Sequence, residues 1–96
     1  MSIEFAWTTF GRAISILASH PDRIQERLRI AYGEALSRVP REDIPEELVR
    51  LYDSIMRNLA WVENNLSPPS DDDARLLVTE IEDLSALLED EFRAKG

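Results

Sequence analysis

The side chains of this sequence best suited to acid–base or metal chemistry are one histidine and many carboxylates. The composition includes no cysteine, which excludes a thiolate nucleophile or ligand. The histidine, His20, stands directly before Pro21, at a predicted break between two helices. The sequence has no glycine-rich turn of the kind that presents a nucleophilic serine. We therefore predict a capping or loop position for His20, no catalytic residue and no enzymatic activity.

The three aspartates at 71–73 are the densest group of potential metal ligands in the sequence. The first and third of them, together with Glu82, match positions one, three and twelve of a calcium-binding loop. Arg75 stands at position five, however, and Leu76 replaces the glycine that position six requires. We therefore predict that Ser70 caps a helix and that the aspartates complement its positive end.

Two other cofactor patterns fail on spacing. A di-metal site in a helical bundle needs a glutamate three residues before a histidine, and Leu17 holds that position before His20. Gly11 and Gly33 stand alone, without the repeated glycines of a phosphate-binding loop. We expect them to allow close helix contacts, at a cost of about 1 kcal/mol each relative to alanine. The sequence thus predicts no metal, no cofactor and no small-molecule substrate.

Apolar residues recur every three or four positions in four segments, which is the pattern of amphipathic α-helices. The five prolines fall at or between the ends of these segments, where proline is tolerated. The predicted helices cover about residues 3–18, 21–38, 46–65 and 71–93. Short connections favour antiparallel neighbours. We predict one all-α domain over residues 1–96, either an antiparallel four-helix bundle or a pair of helical hairpins that dimerisation completes.

Charge is divided unevenly along the chain, whose formal net charge is −8. Residues 1–41 carry six arginines and four acids, whereas residues 42–96 carry fifteen acids and five bases. Cations supply most of a protein's affinity for phosphate backbones, so we expect no direct binding of nucleic acid. Glu4 and Arg12 interrupt the apolar start of the chain, which argues against a signal peptide or membrane span. These features predict a cytoplasmic protein, and the preference for arginine over lysine is typical of GC-rich bacterial genomes.

Some large or charged side chains lie off the apolar stripes when each helix is projected at about 100° per residue. Trp61 is predicted to lie opposite the buried stripe of its helix, with Arg57 one turn earlier and able to cover its ring. Tryptophan and arginine are typical anchors of protein interfaces. Leu76 and Leu87 are attributed to the broad apolar arc of a bundle helix. The predicted interface candidates are Phe5, Ile16, Arg57, Trp61, Glu80 and Asp83.

Two faces of like charge are also predicted. The arginines on the outward face of the second helix are Arg23, Arg27, Arg38 and Arg41. The acids on the last helix are Glu80, Glu82, Asp83, Glu89, Asp90 and Glu91. Both are either solvated faces, whose exposed ion pairs contribute about 0 to 1 kcal/mol each, or surfaces that steer association.

These observations predict a non-enzymatic interaction or regulatory protein. We expect a homodimer, or a complex with another protein, formed through aromatic and charged surfaces on the first, third and fourth predicted helices. The alternative is an acidic inhibitor, such as an antitoxin, an immunity protein or a phage-encoded antagonist. In that case the last helix would occupy the basic nucleic-acid groove of its partner.

Overall fold

The computed structural model describes residues 2–95, with Lys95 described by its backbone alone. All regular structure in this part of the chain is helical, and the predicted all-α four-helix fold is confirmed. The α-helices are α1 (Ile3–Ser19), α2 (Ile24–Glu34), α3 (Val49–Asn58), α4 (Ala60–Glu63) and α5 (Asp71–Lys95). Helix α4 is a single turn that continues α3 beyond a break at Leu59, so the pair forms one of the four predicted helices. No helix in the described residues is long and apolar enough to cross a bilayer.

Side chains and backbone groups cap both ends of α1. The Ser2 hydroxyl accepts a hydrogen bond from the Phe5 amide at 3.1 Å, which satisfies a free donor of the first turn. At the other end His20 is the C-cap, and its amide donates to the Ile16 carbonyl. Asp22 Oδ2 lies 2.9 Å from His20 Nδ1, close enough for an ion pair when the imidazole is protonated. The predicted capping position of His20 is therefore confirmed.

Helix α2 is shorter than the predicted 21–38 at both ends. It begins at Ile24, after extended backbone at His20 and Arg23. A start at Pro21 would have made His20 the N-cap, and histidine is not a preferred N-cap residue. At the other end Ala35 leaves the helical conformation, and a 3-10 turn follows at Leu36–Arg38. This break brings Ala35 and Leu36 together into the core.

The predicted helix 46–65 consists of three pieces. A 3-10 turn at Glu46–Leu48 leads into α3, and the break at Leu59 separates α3 from α4. Beyond α4, Asn65 adopts a positive φ of 56°, and the Leu66 amide donates to the Trp61 carbonyl at 2.9 Å. This is a Schellman cap, with asparagine at the left-handed position. Leu66 is therefore outside the helix and 61% exposed.

Helix α5 begins where the sequence indicated. The Ser70 hydroxyl accepts a hydrogen bond from the Asp73 amide at 3.2 Å, and the Ala74 amide donates to the Ser70 carbonyl at 2.8 Å. Three aspartates fill the first turn of the helix, where negative charge is stabilising. The capping interpretation of this segment is confirmed.

Helix α5 packs against α1, α2 and α3, and is thus the central element of the fold. Trp7 near the start of α1 stacks on Phe92 near the end of α5, with ring centroids 4.9 Å apart, so these helices are antiparallel. Gln25 at the start of α2 donates to Asp71 at the start of α5, so these two helices begin at the same end of the molecule. The end of α3 lies beside the start of α5. The largest fully buried side chains are Phe10, Leu28, Leu36, Ile55, Leu59, Ile81, Leu84 and Leu88.

Candidate functional site

Helix α5 carries two parallel rows of side chains. Its buried row is Ala74, Leu77, Ile81, Leu84 and Leu88, with spacings of three and four residues. A second row lies exactly one residue earlier at every position, and we call it the α5 stripe: Asp73, Leu76, Glu80, Asp83 and Leu87. One residue corresponds to about 100° around a helix, so the α5 stripe lies beside the buried row and faces outward.

The α5 stripe combines exposed apolar surface with charge. Leu76 is 61% exposed and Leu87 is 40% exposed. Asp73 and Asp83 are exposed and Glu80 is half-buried. In the order Asp73, Leu76, Glu80, Asp83 and Leu87, each leucine has a carboxylate next to it in the row. Glu80 and Asp83 were predicted as interface candidates, whereas Leu76 and Leu87 were attributed to the broad apolar arc of a bundle helix and not to an interface.

The carboxylates of the α5 stripe form no ion pair within 4.0 Å among the described side chains. Elsewhere on the same helix, Asp72 pairs with Arg75 at 3.2 Å and Glu89 pairs with Arg93 at 3.6 Å. The stripe therefore keeps three carboxylates without an ion pair on one side of α5, and Asp73 among them is stabilised by the helix N-terminus. A cationic group of another molecule would find them available.

A groove adjoins the first half of the α5 stripe. Its walls come from the end of α3 and the connection before α5, and its floor includes the buried Leu77. Two stripe carboxylates border it. The lining residues are Asn58, Pro69, Asp73, Leu76, Leu77 and Glu80. The groove can thus receive a side chain that has an apolar stem and a cationic end.

Trp61 was predicted to be an exposed interface anchor, and this prediction is wrong. Its side chain is only 7% exposed within the single chain. The break at Leu59 changes the helical register of the last turn, so the indole turns inward instead of lying opposite the buried stripe. The guanidinium of Arg29, at 5.2 Å from the ring centroid, covers the ring where Arg57 was expected to do so. Arg57 itself is exposed on α3.

The remaining candidates on α1 share a different flank of the molecule. Phe5 is 45% exposed, whereas Ile16 is half-buried and packs against the core. Phe5 lies about 160° around α1 from Trp7, the residue that stacks on α5. Of the six predicted interface residues, only Glu80 and Asp83 belong to the α5 stripe.

Arginines line a second cleft, between the starts of α2 and α5. The Gln25 amide donates to the Pro69 carbonyl at 3.0 Å and to Asp71 Oδ1 at 2.7 Å, which ties the two helix starts together. Arg27, predicted to point outward, donates from Nη1 to the Leu17 carbonyl at 2.7 Å and so caps the end of α1. Arg29 pairs with Glu26 at 3.2 Å while it covers Trp61. Most of these groups hold helices together.

The pKa values of two tyrosines and of one ion-paired aspartate are shifted, and none of these residues belongs to the α5 stripe. Burial raises the pKa of Tyr52, whose hydroxyl donates to the Val39 carbonyl at 2.9 Å. Burial, and then the Glu63 carboxylate, raise the pKa of Tyr32. Arg41 donates two hydrogen bonds of 3.0 Å to Asp53 and lowers the pKa of that carboxyl. The contacts of Tyr52 and of Arg41 hold the segment between α2 and α3 against α3.

Comparison of the chain with protein families, characterised proteins and solved structures finds no match. The surfaces described above therefore carry the evidence for function. Among them, the α5 stripe is the one where exposed leucines and unpaired charges coincide.

Proposed function

We propose that this protein is a non-enzymatic interaction module that binds a basic surface of another protein through the α5 stripe. The observation that supports the proposal is a row of two exposed leucines and three carboxylates without an ion pair on one side of an unbroken helix. Full burial of an exposed leucine side chain is worth about 1.5 to 3 kcal/mol. The carboxylates would add orientation and a faster encounter with a positive partner.

The charges of the stripe favour a different protein over a second copy as the occupant of this surface. A two-fold symmetric dimer brings the same patch of both subunits together. Paired through the α5 stripe, two copies would place six carboxylates and no stripe cation in one interface, and juxtaposed like charges cost several kcal/mol. A homodimer would therefore form through another surface.

An acidic inhibitor is the second candidate, and it is a special case of the same proposal. Residues 42–96 carry fifteen acids and five bases, and the α5 stripe extends over fifteen residues, about 21 Å along the helix. A basic nucleic-acid groove on the partner would suit this charge distribution. In that case the protein displaces nucleic acid from its partner, which a competition measurement with the captured partner would reveal.

Affinity capture from the native cell with matched variants tests the proposal. One variant, Glu80→Lys with Asp83→Lys, reverses charge on the α5 stripe. The control, Glu34→Lys with Glu82→Lys, makes the same change in net charge at exposed acids outside the stripe. We expect one specific partner to be retained by the wild type and the control and lost by the stripe variant.

Repeating the capture at high salt measures the electrostatic share of binding, since salt screens exposed charges. Equal loss of the partner from both variants would mean that net charge alone governs binding. Retention by all three proteins would rule out the α5 stripe as the binding surface.

A further inference from the structure

The spacing of the α5 stripe bears on the shape of the element that binds it. The stripe repeats the three-four spacing of the buried row, one residue earlier. The buried row packs against the helices of this chain, and such spacing is what neighbouring helices require. Leu76 and Leu87 are eleven residues apart, about three helical turns, so the two exposed leucines lie on the same side of α5, in a row that the fold leaves exposed.

The distances along the stripe favour a helix over an extended strand as its occupant. Asp73, Leu76 and Glu80 follow one another at rises of about 4.5 and 6 Å, and the pattern repeats through Asp83 and Leu87. A partner helix with the same spacing can place one side chain opposite each position. A strand places successive side chains of one face about 6.6 Å apart. Its second side chain would therefore lie about 2 Å beyond the stripe position that is about 4.5 Å along α5.

Charge complementarity sets the composition of such a helix. Three unpaired carboxylates call for cationic side chains opposite them, and arginine suits them because its planar guanidinium binds carboxylates with two hydrogen bonds. Leu76 and Leu87 call for apolar side chains opposite them. The groove bordered by Asn58 and Pro69 accommodates the side chain at one end of the helix.

We infer that the α5 stripe binds an amphipathic basic α-helix of a partner protein, with arginines opposite its carboxylates and apolar residues opposite its leucines. This inference rests on the proposed function, which it makes more specific. Neither chain direction is favoured by the spacing, because a three-four repeat reads similarly in both.

Synthetic peptides on an alanine background provide a direct test. One peptide, made in both chain directions, repeats the spacing of the stripe with arginine opposite each carboxylate and leucine opposite each leucine. A control of identical composition places the same arginines and leucines at every second residue. We expect the helical peptide, in at least one direction, to bind the full chain at least about tenfold more tightly than the control in calorimetric titrations.

Leucine substitutions locate the peptide on the protein. Leu76→Gln with Leu87→Gln should weaken binding of the helical peptide at least about tenfold, while the helicity of the protein stays unchanged because both side chains are exposed. Leu66→Gln is the control, since Leu66 is exposed to the same 61% as Leu76 but lies outside α5. Equal effects of the stripe variant and this control would overturn the inference.

The peptide results separate the inference from the proposed function. Equal affinity for the helical and the alternating peptide would overturn the helical occupant, while a basic partner of the α5 stripe would stand. Failure of both peptides to bind would likewise overturn the helical occupant. The affinity capture with charge-reversed variants would then decide the proposed function by itself.

Discussion

Tyr52 illustrates how a single polar atom is accommodated in the core of this small protein. Its ring is buried, and its hydroxyl donates to the Val39 carbonyl in the segment that connects α2 and α3. A buried hydroxyl without an acceptor would cost about 1 to 3 kcal/mol, so the hydrogen bond and the burial depend on each other. The neighbouring ion pair of Arg41 and Asp53 is exposed, and exposed pairs contribute little.

We predict an alkaline loss of stability that originates from Tyr52. Its pKa in the folded state is raised, chiefly by burial, above the unfolded value of about 10. The folded chain therefore holds the phenolic proton more tightly, so this stability is complete below about pH 10 and is lost as pH rises through the folded pKa. Urea unfolding between neutral and alkaline pH measures the effect.

Tyr52→Phe should lower the unfolding free energy at pH 7 by about 1 kcal/mol, through loss of the hydrogen bond, and should flatten the alkaline decline. Tyr32→Phe serves as a comparison, because the pKa of Tyr32 is raised as well. An alkaline profile that keeps its slope in Tyr52→Phe would show that another group controls it.

At the scale of the helices, the two internal glycines are not where helices touch. A Cβ atom added to Gly11 or Gly33 meets no other atom within 4 Å, and neither residue has a positive φ. The prediction that these glycines allow close helix contacts is therefore wrong. Both positions lie inside α-helices with room for a methyl group.

We predict that Gly11→Ala and Gly33→Ala each raise the unfolding free energy by about 0.4 to 1 kcal/mol, because alanine loses less backbone entropy on folding. Thermal or urea unfolding of the two variants and of their combination measures this. The two sites are on different helices, so additive effects are expected. A loss of stability in either variant would contradict the open space around these residues.

Helix existence could be predicted from the sequence, but the helix breaks could not. The apolar spacing and the prolines indicated four helices, and Ser70 marked the start of α5 correctly. Neither Ala35 nor Leu59 is a glycine or proline, and the apolar spacing continues through both positions, so the sequence did not indicate these breaks. That is why the position of Trp61 was wrong and its arginine partner was misassigned.

The α5 stripe could be predicted only in part from the sequence. Glu80 and Asp83 lie on an unbroken helix, so projection around its axis placed them correctly. The exposure of Leu76 and Leu87 depends on how α3 and α5 pack, and spacing along one helix carries no information on a neighbour's position.

At the scale of the whole molecule, stability depends on a core to which every α-helix contributes buried apolar side chains. Leu59 and Ile81 are fully buried in it, one at the break after α3 and the other at the middle of α5. We predict that Leu59→Ala or Ile81→Ala lowers the unfolding free energy by about 2 to 4 kcal/mol, because each truncation leaves a cavity. Urea denaturation measures the change, and a loss below about 1 kcal/mol would contradict the packing described.

The homodimer stays a prediction, and the structure indicates which surface to alter. If the wild type self-associates, Phe5→Arg should dissociate it, because Phe5 is a large exposed ring on a flank of α1 that lacks the acids of the α5 stripe. The double variant Glu80→Lys with Asp83→Lys should leave self-association intact. Sedimentation over a concentration series distinguishes these outcomes, and a wild type that is monomeric throughout would exclude the homodimer.

The central position of α5 has a consequence for the order of events during synthesis. The end of α3 at Asn58 and the end of α5 at Lys95 are 37 residues apart, which a ribosome translates in roughly 2 to 7 s at about 5 to 20 residues per second. Until α5 emerges, the apolar faces of α1, α2 and α3 that it covers stay open to water. During that interval the nascent chain is expected to be a substrate for ribosome-associated chaperones, and it becomes resistant to proteases only when α5 has docked.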